Sequence, residues 1–164
     1  MGLAERHSKT SDLTHWRGRI PVNYVYTTGR AGEKFFQEVL NGKLVATRCA
    51  PCGVVYLPPR TYCERCFARL EDSYMEVSPR GRVHTFTVCH KKMDGSKSDE
   101  PVVVAMVQID DTDGGLVHCL GEVKPEDVYI DMPVKAVFKP KKQRKGSILD
   151  IKYFKPENEE AADK

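Results

Sequence analysis

Cys49-Ala-Pro-Cys52-Gly53 and Cys63-Glu-Arg-Cys66 are two C-x2-C knuckles with ten residues between Cys52 and Cys63. Two residues between cysteines let both sulfurs turn toward one ion, while amides of the turn donate to those sulfurs. Two such turns complete a tetrahedral four-sulfur shell. Gly53 directly follows the first knuckle, where a sharp turn calls for positive φ. The pairing predicts one structural metal site held by Cys49, Cys52, Cys63 and Cys66. Zinc is the expected metal, and iron is the competitor because four thiolates also hold iron. A closed shell leaves no open coordination position, so no chemistry is expected at the metal. A redox C-x2-C accounts poorly for two matched pairs.

No other residues form a self-contained catalytic site, and none is assigned a catalytic role. Cys89 and Cys119 fall inside strand patterns and read as small core residues. His118 and Cys119 are adjacent, so on a strand they point to opposite faces, which argues against a nucleophile and base pair. His84 and His90 are placed on one face of a strand, as surface or satisfied core residues, with a ligand contact as the alternative. The chain has no phosphate-binding glycine loop, no nucleophile elbow and no paired carboxylates in a persuasive context.

The 164 residues suit one ordinary domain, or a small domain beside a tiny one. A net charge of +3 and a pI near 8.5 are only mildly basic. A dedicated nucleic-acid binder is usually more basic, or basic on one face. No apolar stretch approaches the roughly 18 residues of a membrane span. Met1 to Arg19 lacks the apolar core of a signal peptide. The expected location is therefore the cytoplasm, where thiols stay reduced and cysteines serve as metal ligands or buried apolar residues.

The elements that must position the knuckles follow from the patterning. Residues 1–28 read as an extended arm, in which Ile20, Val22, Tyr24 and Tyr26 alternate as a docking strand would. Residues 29–76 hold a helix and a zinc ribbon. Phe35, Phe36, Val39 and Leu40 share one helical face over 31–41, and Asn41-Gly42 is the stop signal. Strand patterns at 43–48 and 53–57 flank the first knuckle, and Pro58-Pro59 breaks the ladder. Residues 77–155 read as five strands: 82–90, 102–109, 116–123, 132–139 and 148–154. Asp113-Gly114-Gly115 turns between the second and third, and Pro125 opens one helical turn before the fourth. The fold class is thus mainly β: an N-terminal helix and rubredoxin-like ribbon, then a five-stranded OB-type barrel. Residues 91–100 read as a loop, and 156–164 as a frayed acidic tail. Lys139, Lys141, Lys142, Arg144 and Lys145 crowd one loop, which is either solvated or meets an anion.

In combination, these motifs resemble the DUF35 family. The residues that carry the resemblance are Phe35-Phe36, Gly42-Lys43-Leu44, the first knuckle, and Leu57-Pro58-Pro59-Arg60 running into the second. Gly81 to Thr87 and Met132 to Phe138 extend it into the barrel, so that it covers about residues 31 to 155. Three positions depart from the family pattern: Phe67 after Cys66, Tyr74 where tryptophan is common, and Ser78-Pro79-Arg80-Gly81 before the barrel. None is a metal ligand. The resemblance implies a small, non-catalytic partner of a thiolase-fold subunit acting on coenzyme A thioesters, with the partner supplying the catalytic residues. It implies coenzyme A or acyl-CoA as a ligand shared by the complex, through residues it does not identify. Lys139 to Lys145, or Lys91-Lys92, would meet the CoA phosphates or the partner. The alternatives are a single-stranded nucleic-acid binder, since ribbons and OB barrels both serve that role, and an iron-bearing electron carrier.

Overall fold

The computed structural model describes residues 25–91 and 96–157. Most of the expected arm and the acidic tail beyond residue 157 lie outside the described residues. Helix α1 (Gly29–Asn41) ends where Gly42 adopts φ 82°. There the Gly42 N–H donates to the Val39 carbonyl and the Lys43 N–H to the Glu38 carbonyl, both at 2.9 Å. This crossed pair closes the helix, and glycine takes the left-handed position without strain. Ala31, Phe35 and Val39 are buried and Phe36 half-buried. Leu40 stays exposed, so the buried stripe is narrower than the periodicity predicts.

The ribbon sheet has the order β2-β1-β3, from β1 (Leu44–Arg48), β2 (Val55–Tyr56) and β3 (Tyr74–Val77), with antiparallel pairs throughout. Strand β3 has no counterpart among the predicted strands. It forms by pairing Leu44 with Val77 and Thr47 with Tyr74, a contact between residues distant in sequence.

The barrel strands are β4 (Arg80–Lys91), β5 (Lys97–Ile109), β6 (Gly115–Cys119), β7 (Pro133–Phe138) and β8 (Ile151–Pro156), in the order β6-β5-β4-β7-β8. A parallel bridge between Leu120 and Phe154 closes the ring, supported by the Gly121 N–H donating to the Phe154 carbonyl at 2.9 Å. Five strands closed in this way, with a 3-10 turn at Pro125–Asp127 between the third and fourth, make the expected OB-type barrel. The loop expected over 91–100 is shorter, because β4 runs to Lys91 and β5 begins at Lys97.

One apolar core joins helix, ribbon and barrel. Phe35 and Val39 of α1 and Leu44, Val55 and Leu57 of the ribbon belong to the same cluster as Val83, Val107 and Phe154 of the barrel. The metal end of the ribbon has its own small cluster of Cys49, Val54, Tyr56, Cys63 and Leu70. Among the described residues no helix is long and apolar enough to cross a membrane.

Candidate metal centre

The two knuckles have the same backbone wiring. The Cys49 N–H donates to the Val54 carbonyl at 2.8 Å, and the Gly53 N–H returns to the Cys49 carbonyl at 2.7 Å. Likewise the Cys63 N–H donates to the Ala68 carbonyl at 2.9 Å, and the Phe67 N–H to the Cys63 carbonyl at 3.0 Å. Both loops need a left-handed residue after the second cysteine: Gly53 has φ 73° and Phe67 φ 59°. Glycine does this freely. A phenylalanine there is strained, and its ring is left 79% exposed.

This wiring brings the four predicted ligands together. The sulfurs of Cys49, Cys52, Cys63 and Cys66 all lie within 4.8 Å of one another. Cys49 and Cys66 sulfurs are 3.5 Å apart, and Cys52 and Cys63 sulfurs 3.8 Å. A tetrahedron with zinc–sulfur bonds of about 2.3 Å has sulfur–sulfur edges of about 3.8 Å. A disulfide would need about 2.05 Å, and all four thiols are free. The donor set and spacing therefore fit a closed four-thiolate zinc site.

Two cysteines are fully buried, Cys49 and Cys63, while Cys66 is exposed. Burial pushes the Cys49 thiol up. The neighbouring Cys66 sulfur, with burial added, pushes Cys52 up to about 12. Cys63 is pulled the other way, down to about 6, chiefly by the Tyr56 hydroxyl 3.3 Å from its sulfur. The same contact raises Tyr56 to about 12. The surroundings thus favour a thiolate at Cys63 and oppose it at Cys49 and Cys52. A coordinated cation reverses that opposition, because it deprotonates the thiols it binds.

Among the described residues, the remaining cysteines and histidines are not gathered at any site. Cys89 and Cys119 are half-exposed rather than core residues, because both face outward on the barrel. A register shift between Val83 and Thr85 changes the in-and-out phase of β4. His84 and His90 therefore do not share one regular strand face. His118 does oppose Cys119 in direction, lying edge-on to buried Phe154 with ring centroids 6.1 Å apart.

The basic loop is partly structural. The Arg144 guanidinium donates to the carbonyls of Lys139 at 2.7 Å and Leu40 at 3.3 Å, and lies 5.5 Å from the Phe138 ring centroid. It thereby meets the carbonyl end of α1, where positive charge is favourable. Lys141, Lys142 and Lys145 remain exposed. A groove of about 420 Å³ between α1 and this loop is lined by Phe36, Leu40 and Lys145 among others.

The outer face of the barrel was missed by the sequence reading. Register pairs Thr85 with Met106, Thr87 with Val104 and Cys89 with Val102. Across β5, Val104 pairs with Cys119 and Met106 with Val117. Paired residues share a face and alternate with the next pair. These eight side chains therefore lie together on the outside, and none is charged or aromatic. Val117 is 67% exposed and Val102 44%. The apolar run at 102–107 looks like a strand buried on both sides, yet only Val103, Ala105 and Val107 face the core.

A four-cysteine knuckle pair on a three-stranded ribbon, packed against a closed OB barrel, defines a class of zinc-ribbon and OB-fold proteins. The family models for the ChsH2 rubredoxin-like zinc ribbon domain and the ChsH2 C-terminal OB-fold domain match residues 36–71 and 74–139. A DUF35 domain-containing scaffold protein of Methanocaldococcus jannaschii is 36% identical over 118 residues, covering 69% of this chain and 81% of that protein. The chain belongs to the DUF35 family. A probable enoyl-CoA hydratase alpha subunit of Thermomonospora curvata is 32% identical over 101 residues, which cover 61% of this chain but 30% of that longer protein. The solved structure titled Ltp2-ChsH2(DUF35) aldolase superposes with a TM-score of 0.59 at 25% identity, covering 84% of this chain and 98% of that one.

Proposed function

We propose that this chain is a non-catalytic, zinc-binding subunit of a thiolase-type complex acting on CoA thioesters. In this reading Cys49, Cys52, Cys63 and Cys66 hold the zinc, residues 29–76 and 77–155 are the ribbon and barrel units, and the barrel docks on the catalytic subunit. The observation that carries the docking is the uncharged patch of eight side chains in the middle of the outer face of β4, β5 and β6, between Arg82 at one end and Lys91 and Lys97 at the other. In OB barrels that bind single strands, the corresponding face needs basic and aromatic side chains. Here it offers threonine, valine, methionine and cysteine, which suit a protein surface and repel nothing. This weighs against the nucleic-acid alternative.

The relatives support the same direction. One is named as a scaffold, one is titled with Ltp2 as an aldolase, and one is named for an acyl-CoA reaction. Lys145 lines a groove with Phe36 and Leu40, and exposed Lys141 and Lys142 belong to the same loop, an arrangement suited to the phosphates and the pantetheine arm of a CoA ester. The sequence pattern over residues 1–28 resembles that of the small subunit of benzoylsuccinyl-CoA thiolase, of anaerobic toluene degradation. We take cleavage of benzoylsuccinyl-CoA as the specific substrate reading.

The test is gentle affinity purification from the native host, with mass spectrometry and metal analysis on one sample. A thiolase-fold protein in stoichiometric amount, with one zinc per chain, is the expected result. Val117→Asp should abolish that co-purification while leaving the circular dichroism spectrum unchanged. A chain that arrives alone, or with nucleic acid, would overturn the proposal.

A further inference from the structure

The Tyr56-Leu57-Pro58-Pro59-Arg60 run offers no metal ligand, yet it is wired to one. Strand pairing sets Thr47 opposite Tyr56. Thr47 is fully buried, and its hydroxyl accepts from the Arg60 N–H at 2.9 Å and donates to the Arg60 carbonyl at 3.3 Å. This double contact fixes the Arg60 backbone beside β1. From there the guanidinium reaches over the Tyr56 ring, 5.0 Å from its centroid, within the range of a cation–π contact. The same guanidinium pairs with Glu64, inside the second knuckle. Tyr56 is itself buried, and its hydroxyl oxygen is 3.3 Å from the Cys63 sulfur. A second donor to that sulfur is the Arg65 N–H at 3.4 Å.

A thiolate bound to a metal has no proton to give, so the hydroxyl is the donor in the Tyr56–Cys63 pair. Four thiolates around a divalent cation leave two surplus negative charges, and burying charge is costly unless donors share it. Groups that orient and hydrogen-bond a ligand atom commonly change metal affinity by about 10- to 100-fold.

We propose that Tyr56, clamped by Arg60 and Thr47, positions the Cys63 sulfur and draws off part of its charge, and so sets how firmly the ribbon keeps its metal. The proline-rich run is then an accessory to the metal centre rather than a ligand-binding loop. This rests on the four cysteines holding a metal and is independent of what the barrel docks on.

The experiment uses the full chain as Tyr56→Phe, which removes the hydroxyl and keeps the ring. Zinc transfer to a chromogenic chelator should be about 10-fold faster or more. In the cobalt-loaded protein the thiolate-to-metal charge-transfer band should move to longer wavelength, because the sulfur becomes a better electron donor. Arg60→Ala keeps the hydroxyl but frees the ring, and should show smaller changes in the same directions. This second variant decides the matter if Tyr56→Phe does not accumulate in folded form. Wild-type transfer rates and an unmoved cobalt band would overturn the proposal. A wild-type chain with no stoichiometric metal would sink the underlying zinc reading instead.

Discussion

Val55 and Asp113 bind each other twice across the junction of ribbon and barrel. The Asp113 carboxylate accepts from the Val55 N–H at 2.8 Å, and the Asp113 N–H donates to the Val55 carbonyl at 2.9 Å. Next to them the Gly115 N–H donates to the Leu57 carbonyl at 3.1 Å. Gly114 approaches so closely that a Cβ on it would stand 2.2 Å from the Leu57 carbonyl oxygen and 2.8 Å from the Leu57 nitrogen. The neighbours are backbone atoms, which have little room to yield. Gly114→Ala should therefore cost about 1–3 kcal/mol or more. Asp113→Ala should cost about 1 kcal/mol, as expected for loss of the one side-chain hydrogen bond at a partly solvated site. Chemical denaturation midpoints check both, and a Gly114→Ala midpoint equal to wild type would mean that the junction is looser than this geometry.

Removing the metal should loosen only one end of the ribbon. Cys49, Val54, Tyr56, Cys63 and Leu70 form a cluster separate from the main core, too small to stand without the ion. Leu44, Val45 and Val55 belong to the main core with the barrel. A strong chelator, or Cys63→Ser, should thus raise amide exchange across residues 49–70 while β4 to β8 stay protected. Hydrogen exchange read by mass spectrometry checks this. Exchange that rises across the whole barrel would show that the ion supports the main core as well.

Asp150 makes a prediction about pH. Its carboxylate is buried and accepts from the Lys145 N–H at 2.9 Å, the Gly146 N–H at 2.7 Å and the Ser147 N–H at 3.2 Å. Burial alone would raise its pKa, but these amides, with Lys139 nearby, outweigh burial and hold it below the ordinary value. Because the folded value is the lower one, the stabilisation is complete above the unfolded value of about 3.9. It fades as the pH falls from there through the folded value. Asp150→Asn should cost about 2 kcal/mol at neutral pH, and its deficit against wild type should narrow below about pH 4. Urea denaturation at a series of pH values checks the sign, and a gap that widens in acid would refute it.

What the sequence made legible was whatever is local. The C-x2-C spacing and the αL glycines Gly42 and Gly53 each act within a few residues, and each is found where expected. What it hid depends on partners far away in the chain. Strand β3 exists because Val77 finds Leu44, and Asp113 matters because Val55 is there. The bulge at His84 lies in the pairing of β4 with β5 and has no local signal. Phe67 was hidden for a different reason. Its left-handed backbone is imposed by the knuckle, against the preference of its own side chain.

The basic loop joins charges that look alike in sequence but do different work. Arg144 is spent on the carbonyls of Lys139 and Leu40. Its guanidinium also occupies the space beside Gly42, where a Cβ would meet it at 2.5 Å. Lys141, Lys142 and Lys145 stay exposed, and Lys145 lines the groove with Phe36 and Leu40. If a CoA ester enters there, its phosphates meet the lysines. The triple change of these lysines to glutamine should then weaken CoA-ester binding to the assembled complex by about 10-fold and flatten its salt dependence, because exposed charges are screened by salt. The stability of the chain should hardly move, since exposed charges contribute little to folding. Arg144→Ala should do the reverse, lowering the melting temperature with a smaller effect on binding. Calorimetric titration of the complex with CoA ester at two salt concentrations separates the two. Unchanged affinity and complex formation in the triple variant would remove this loop from the binding site.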